Sequence, residues 1–157
     1  MAPRKKPSVI YPFLSEIPMF EGLSPETAAG LFKMGKSKVY RGGAVIVQEG
    51  AKGGDLHIVV SGKVEVWKSR RGKNEGGKLA DLGLGAVFGE MSVFDGSPYS
   101  ATVKAAGDCV IHTIQGKAFA GYLEKNPKTA VIILRSLLVE MAARLRRMNE
   151  AVSSKGS

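Results

Sequence analysis

The sequence predicts a mainly β fold, an eight-stranded jelly roll or small barrel with flanking helices. The chain of 157 residues contains 20 glycines, most of them in short clusters between apolar runs, and such clusters are typical of tight turns between strands. From Lys38 to Ile114 the apolar runs are short, whereas after Ile114 apolar residues recur at three- and four-residue intervals. The second pattern is the helical period. A roll of eight short strands is favoured because closure limits exposed strand edges.

The first predicted element is a short helix in the segment LSPETAAGLFKMG. Ser24 can cap its N-terminus, Pro25 fits the first helical position, and Gly35 can end it. Residues 1–12 before it are polar and basic and contain proline, which predicts a flexible basic arm. We therefore expect one domain over residues 13–151.

Eight strands are predicted in the middle of the chain, separated by glycine-rich turns. They fall near residues 38–41, 44–48, 56–60, 63–68, 78–82, 86–88, 100–106 and 109–114. The polar, charged segment 69–77 is expected to form an exposed, mobile loop.

Two helices are predicted after the strands, a short one over GKAFAGYLEKN and a longer one over about 127–151, with a frayed tail at 152–157. Asn126 and Pro127 supply the cap and first position of the long helix. This helix carries an apolar seam: Val131, Leu134, Leu138, Met141, Leu145 and Met148. Two interpretations stay open, because such a seam can pack on the chain's own barrel or pair with the same helix of a second copy as a homodimer.

The formal net charge is +9, and three clusters hold much of the excess. The first lies in the N-terminal tail and consists of Arg4, Lys5 and Lys6. The second lies in a predicted loop and consists of Lys68, Arg70, Arg71, Lys73 and Lys78. The third lies in the long predicted helix and consists of Arg135, Arg144, Arg146 and Arg147. Since these clusters form no single stripe, solvated surface charge is favoured over binding to an anionic macromolecule or a membrane surface. No secretory signal and no membrane-spanning apolar run are found, so a cytoplasmic protein is expected.

The cysteine, histidine and tryptophan residues give only weak evidence for other kinds of functional site. The single cysteine, Cys109, excludes an internal disulfide and is expected to be buried. His57 and His112 fall on separate predicted strands without a metal-ligand pattern, so neither a metal site nor an enzyme is expected. Trp67 is expected to pack on the barrel, the alternative being that it stacks on a nucleic acid base or rests in a membrane interface.

The segment FGEMSVFDGSPYSATV, residues 88–103, is the strongest functional signal. Backbone N–H groups at the start of the helical turn after Gly89 lack intrahelical acceptors and favour an anion. Gly89 allows close approach to the backbone, and Glu90 can accept hydrogen bonds from a sugar hydroxyl. The turn DGSP then brings residues 99–101 opposite the helix start.

The order of EG…GD, SGKVEV and FGEMSVFDGSPYSATV, followed by a short and a long helix, resembles the cyclic nucleotide-binding domain over residues 13–150. The resemblance implies a β-roll in which residues 88–103 form the phosphate-binding cassette and bind cAMP or cGMP as ligand, not as cofactor. It further implies a sensor whose C-terminal helix moves on binding and signals to a second protomer or an effector protein that the sequence does not identify. Only six residues follow Ala151, so sequence-specific DNA binding is not expected.

The resemblance also implies a set of ligand-binding residues. Glu90 matches the carboxylate that binds the ribose 2′-hydroxyl. The turn that holds the phosphate is matched by Gly89, Met91 and Ser92. Small residues beside the phosphate are matched by Ser100 and Ala101. The strand positions that line the sugar and base are matched by Val64, Val66 and Leu79.

Tyr99 departs from the family pattern. Nine residues after Glu90, where the family has an arginine that neutralises the phosphate, this chain has Tyr99. A phenol brings no positive charge, and loss of a charge-assisted contact costs about 1.5–3 kcal/mol.

Three interpretations of Tyr99 remain open. In the first, the site binds a cyclic mononucleotide with help from backbone amides, Ser100 and a basic side chain from elsewhere. In the second, it binds another anionic nucleotide such as a cyclic dinucleotide, with Tyr99 stacked on a base. In the third, the pocket is ligand-independent and the chain is a dimeric protein-interaction scaffold.

Overall fold

The computed structural model describes residues 12–70 and 73–155, and within them eight strands form two four-stranded antiparallel sheets. The predicted fold class is confirmed. The strands are β1 Lys36–Tyr40, β2 Val45–Val47, β3 Asp55–Ser61, β4 Val64–Arg70, β5 Lys73–Leu82, β6 Val87–Phe88, β7 Thr102–Ala105 and β8 Cys109–Gln115. The α-helices are α1 Pro25–Phe32, α2 Glu90–Asp95, α3 Gly116–Lys125 and α4 Pro127–Lys155, preceded by 3₁₀ helices at Pro12–Glu16 and Pro18–Phe20.

The two sheets have the strand orders β1-β8-β3-β6 and β2-β7-β4-β5. Side chains from both enclose one apolar cluster, which contains the buried Cys109: Val47, Val59, Val64, Phe88, Val103, Ala105, Cys109 and Ile111. A second cluster joins the first sheet to the helices and includes Leu31, Ile114, Phe119 and Ile133. Because β3, β6 and β8 belong to the first sheet, the turn that leaves β6 is held against the packed interior.

Helix α1 begins as predicted. The Ser24 hydroxyl accepts a hydrogen bond from the Thr27 N–H at 3.2 Å, and Pro25 occupies the first turn. The helix ends at Phe32, before Gly35, and the chain leaves it through a turn in which the Gly35 N–H donates to the Phe32 carbonyl. The same carbonyl is within 2.6 Å of His112 Nε2, so the helix end is fixed to β8.

The predicted loop over residues 69–77 is wrong. Strands β4 and β5 form one long hairpin in which Lys68 pairs with Gly77 and Arg70 with Lys73. Polar side chains do not prevent this, because strand pairing is made by backbone groups. The Ser69 N–H and hydroxyl also donate to the Glu49 carboxylate. Arg71, from the second basic cluster, lies outside the described residues.

Helix α4 packs on the body through a face that the sequence analysis did not single out, formed by Ala130, Ile133 and Leu137. All six residues of the predicted seam are between 37% and 67% exposed. The interpretation in which this seam packs on the chain's own barrel is therefore wrong. The helix continues to Lys155, beyond the predicted end at 151, so four residues of the predicted tail are helical.

Several sequence-based expectations concern the surface. The basic arm, with Arg4, Lys5 and Lys6, falls outside the described residues except for Pro12. Trp67 is half-buried, and Lys104 Nζ lies 5.5 Å from its ring centroid in a cation–π contact. Across residues 12–70 and 73–155, no helix is long and apolar enough to cross a membrane.

Candidate functional site

The turn from β6 into α2 requires a glycine. Gly89 has a φ of 80°, a conformation that side chains with a Cβ rarely adopt. A Cβ at this position would lie 2.7 Å from the Asp55 carbonyl oxygen, 3.0 Å from His57 Cδ2 and 3.3 Å from Tyr99 Cε1. The backbone at residue 89 thus lies directly against β3 and the Tyr99 ring.

Ser92 holds this turn in place through its side chain. The Ser92 hydroxyl donates to the Gly89 carbonyl at 2.9 Å and accepts from the Gly54 N–H at 3.0 Å. Because both hydrogen bonds are internal and the side chain is buried, its hydroxyl serves the turn. Gly89, at the N-cap of α2, has no side chain that could cap the helix, and the first N–H groups of a helix have no acceptor within the helix.

The segment opposite the turn is fixed by backbone hydrogen bonds. The Tyr99 N–H donates to the Ala51 carbonyl at 3.0 Å, and the Gly50 N–H donates to the Tyr99 carbonyl at 2.9 Å. Lys68 Nζ donates to the Ser100 carbonyl at 2.7 Å and lies 2.8 Å from the Glu49 carboxylate. Residues 99 and 100 are therefore held against the turn that follows β2 and against β4 before β7 begins.

A cavity of about 120 Å³ lies between the turn and this segment. It is roughly ten times the ~10–15 Å³ that one water molecule needs, so it has room for a small anion. The Tyr99 ring lines the cavity without filling it. The lining residues are Val47, Val66, Leu82, Phe88, Gly89, Glu90, Met91, Ser92, Pro98, Tyr99, Ser100, Ala101, Val103 and Arg144.

Glu90 is paired with a cation from α4. Its carboxylate is buried, and Arg144 Nη1 donates to Oε1 at 3.2 Å. Arg144 Nη2 donates to the Val87 carbonyl at 2.6 Å. The guanidinium therefore joins α4 to both β6 and α2 and places a positive charge on the cavity wall. Glu140, one turn before Arg144, has a pKa raised chiefly by burial.

Tyr99 is hydrogen-bonded to a buried histidine. Its hydroxyl lies 3.1 Å from His57 Nε2, and His57 Nδ1 lies 2.9 Å from the Thr113 hydroxyl. Burial lowers the pKa of His57 to about 4, so the imidazole is neutral at neutral pH. Burial also raises the pKa of Tyr99, so the phenol keeps its proton.

Eight of the ten predicted ligand-binding residues line the cavity: Gly89, Glu90, Met91, Ser92, Tyr99, Ser100, Ala101 and Val66. Val64 and Leu79 are not brought to it. Val64 is fully buried between the sheets. Leu79 falls at an irregularity of β5, between the pairs Val66–Ala80 and Trp67–Lys78, and is 52% exposed. Such a bulge re-aims a side chain, and strand alternation in the sequence does not show it.

Six cavity residues were missed: Val47, Leu82, Phe88, Pro98, Val103 and Arg144. Phe88, Pro98 and Val103 lie inside the cassette segment, so their position in that segment was an available signal. Arg144 belongs to a predicted basic cluster, but its approach to Glu90 depends on how α4 docks. The sequence carries no local signal for that.

The two histidines lie on separate strands, as predicted. His57 is on β3, and His112, on β8, is buried between the Ser37 hydroxyl and the Phe32 carbonyl. Burial lowers the pKa of His112. Among the residues that the structure describes, no three histidine, cysteine or acidic side chains form a cluster suited to a metal ion.

Comparison with known proteins places this geometry in a family. Residues 37–126, more than half of the chain, match the family model described as cyclic nucleotide-binding domain. A cyclic nucleotide-binding domain from Methylobacillus flagellatus has a similar solved structure, with a TM-score of 0.81 and 27% identity, covering 93% of this chain and 82% of that one. The Thermus thermophilus catabolite activator protein aligns with a TM-score of 0.75 and 28% identity over 88% of this chain and 63% of that one.

Two curated relatives are similar in sequence. The cyclic AMP receptor protein of Thermus thermophilus is 31% identical over 82% of this chain and 57% of its own length. A cAMP-dependent protein kinase regulatory subunit of Mycosarcoma maydis is 32% identical over 74% of this chain and 24% of its own length. The chain thus spans between about a quarter and just over half of these relatives.

Proposed function

The chain belongs to the cyclic nucleotide-binding domain family, and we propose that its cavity at Gly89 binds a cyclic mononucleotide, cAMP or cGMP. The observation that supports the proposal most is that Tyr99, which replaces the expected arginine, leaves the cavity open. Relatives named for cAMP recognition agree with this ligand class. The domain is a regulatory binding module, and the proposal includes no catalytic step.

In this proposal the phosphate lies at the start of α2. Backbone N–H groups there have no intrahelical acceptors and attract an anion. The Glu90 carboxylate, at the first position of α2, accepts from the ribose hydroxyl. Val66, Leu82 and Val103 supply an apolar wall for sugar and base. A cyclic dinucleotide, with Tyr99 stacked on its base, is the alternative ligand.

Arg144 supplies the positive charge that position 99 lacks. It is the only cationic side chain among the described residues that line the cavity. Its guanidinium has donors beyond those used by Glu90 and Val87, so it can meet an anion while remaining near the carboxylate. A basic side chain from elsewhere in the chain thus fills the role required by the first interpretation of Tyr99.

This arrangement couples the ligand to α4. Ribose hydroxyls compete with Arg144 for the Glu90 carboxylate, while the phosphate offers Arg144 another partner. Both changes act on a contact that joins α4 to the cassette. A ligand shifts the docking of α4 only by its difference in affinity for the two docked states.

The partner proposed for α4 is a second copy of the chain. Its seam presents six apolar side chains at helical spacing, and all are exposed in the single chain. Two such seams bury one another in a helical dimer. A movement of α4 then changes the dimer, or its contact with an effector protein.

Calorimetric titration of the full chain with cAMP, cGMP and a cyclic dinucleotide tests the proposed function. We expect binding of a cyclic mononucleotide, and affinity lower by about tenfold or more in Glu90→Gln, because a hydrogen bond to a charged group contributes about 1.5–3 kcal/mol. Glu65→Gln is the matched control, since Glu65 is a half-buried glutamate outside the cavity. A chain that binds only the cyclic dinucleotide, or none of the three nucleotides, would contradict the proposal.

A further inference from the structure

His57 lies directly behind the cavity wall, although it is not part of that wall. Tyr99 and Gly89 both line the cavity, and His57 contacts both of them. Its Nε2 is 3.1 Å from the Tyr99 hydroxyl, and its Cδ2 would be 3.0 Å from a Cβ on Gly89. His57 is also stacked on Phe88, with ring centroids 5.0 Å apart. Contacts on three sides therefore hold the imidazole in place, and only the Tyr99 side chain would separate it from a ligand that touches Tyr99.

The hydrogen bonds of His57 suit a charged imidazole as well as a neutral one. Both ring nitrogens face hydroxyl groups, Thr113 on one side and Tyr99 on the other. A hydroxyl oxygen can accept a hydrogen bond or donate one. When the imidazole takes up a proton, both nitrogens become donors, and both partners can accept without moving. Burial keeps the ring neutral at neutral pH.

An anion in the cavity would favour the charged form of the imidazole over the neutral form. Only the Tyr99 side chain would separate a phosphate at this wall from the imidazole, whose Nε2 is 3.1 Å from the Tyr99 hydroxyl, and opposite charges at short range attract appreciably in a protein interior. This attraction offsets the desolvation of the charged ring.

We infer that His57 is a charge-supplying residue of the site, which takes up a proton from solvent as the ligand's anion binds behind the Tyr99 wall. The inference rests on the proposed function, since it concerns the same cavity and ligand. Tyr99 then has a defined role. It separates the imidazole from the ligand, so that a second positive charge, in addition to that of Arg144, forms behind the wall when the anion binds.

The groups that face His57 are few among the described residues. Its own strand contributes Asp55, which favours the charged ring. The neighbouring strand β8 contributes the Thr113 hydroxyl, β6 contributes Phe88, and the segment before β7 contributes Tyr99. Glu90 and Arg144, which also line the cavity, form an ion pair with each other, so histidine variants are needed to assign a pH effect to His57.

The test is calorimetric titration of the full chain with cAMP at about pH 5 and about pH 8, each in two buffers of different ionisation enthalpy. We expect affinity on the order of tenfold higher at the lower pH, with net proton uptake there and almost none at the higher pH. Equal affinities without proton uptake in a chain that binds cAMP overturn the inference and leave the proposed function standing. cGMP is titrated in parallel, and failure to bind either nucleotide at either pH overturns both.

Three variants sharpen the result. His57→Gln keeps a polar amide beside Tyr99 but cannot gain charge, so the ratio of the two affinities should fall towards one. Tyr99→Arg should flatten the ratio as well, because a permanent cation suppresses protonation of the imidazole. His112→Gln changes a buried histidine that does not line the cavity, so the ratio of the two affinities should stay the same. A ratio near one in this variant would contradict the assignment of the effect to His57. The pKa of His57 measured by ¹⁵N NMR should rise when cAMP is added, and an unchanged pKa also overturns the inference.

Discussion

At the scale of single residues, the site depends on a few side chains whose roles differ from their appearance in the sequence. The family resemblance predicts that Ser92 belongs to the turn that holds the phosphate, and its hydroxyl holds the Gly89 turn in place. The family resemblance predicts that the Glu90 carboxylate binds a ribose hydroxyl, and in the structure this carboxylate pairs with Arg144. Tyr99 does not close the cavity, so loss of the arginine changes the charge of the site more than its shape.

Gly89→Ala should unfold more readily than the wild type. The positive φ alone costs about 1–2 kcal/mol, and the new Cβ would lie 2.7 Å from the Asp55 carbonyl oxygen, so the backbone must shift. We expect a loss of about 2–4 kcal/mol in urea unfolding. Gly96→Ala is the control, because Gly96 has a φ of 70° but open space around its Cβ position. Equal losses in both variants would contradict the packing argument.

At the scale of elements, the strands were predictable and the docking of α4 was not. All eight strands and the start of α1 follow from short apolar runs, turn glycines and a capping serine, which are local signals. The β4–β5 hairpin was missed because its outer half is polar and pairs through backbone groups. The burial of Ala130, Ile133 and Leu137, and the approach of Arg144 to Glu90, depend on contacts between distant segments.

The two faces of α4 should respond differently to substitution. Leu138 is 67% exposed and Ile133 is fully buried. Leu138→Glu should therefore leave folding intact and convert a dimer into monomers, as measured by analytical ultracentrifugation. Ile133→Ala should lower the free energy of unfolding by about 2–5 kcal/mol through the cavity that it leaves. A wild-type chain that sediments as a monomer would contradict the proposed dimer.

At the scale of the whole molecule, the buried His57 makes the free energy of unfolding depend on pH. The pKa of His57 is lowered from 6.5 to about 4 in the folded chain, so the unfolded chain binds a proton more readily. His57 thus stabilises the fold fully above about pH 6.5, and this contribution is lost as the pH falls towards 4, by about 3 kcal/mol in total. His57→Gln should lose less stability than the wild type between these pH values in urea unfolding. Identical losses would show that other groups control acid unfolding.

Family membership and fold were predictable because the cassette motif is continuous in sequence, whereas the charge balance of the site was not. Arg144, the cation proposed to compensate for Tyr99, lies 54 positions after the Glu90 carboxylate that it contacts, in a helix whose docking brings the two together. The pairing of Tyr99 with His57 likewise joins residues 42 positions apart. These contacts exist only in the folded chain.

The central claim, that the Gly89 cavity binds a cyclic nucleotide without an arginine at position 99, is tested most directly by titrating the wild type and Tyr99→Arg with cAMP and cGMP. We predict that the wild type binds one of them at neutral pH and that Tyr99→Arg binds it about ten- to a hundredfold more tightly, because a charge-assisted contact is added. No measurable binding by the wild type would contradict the claim, whether or not the variant binds.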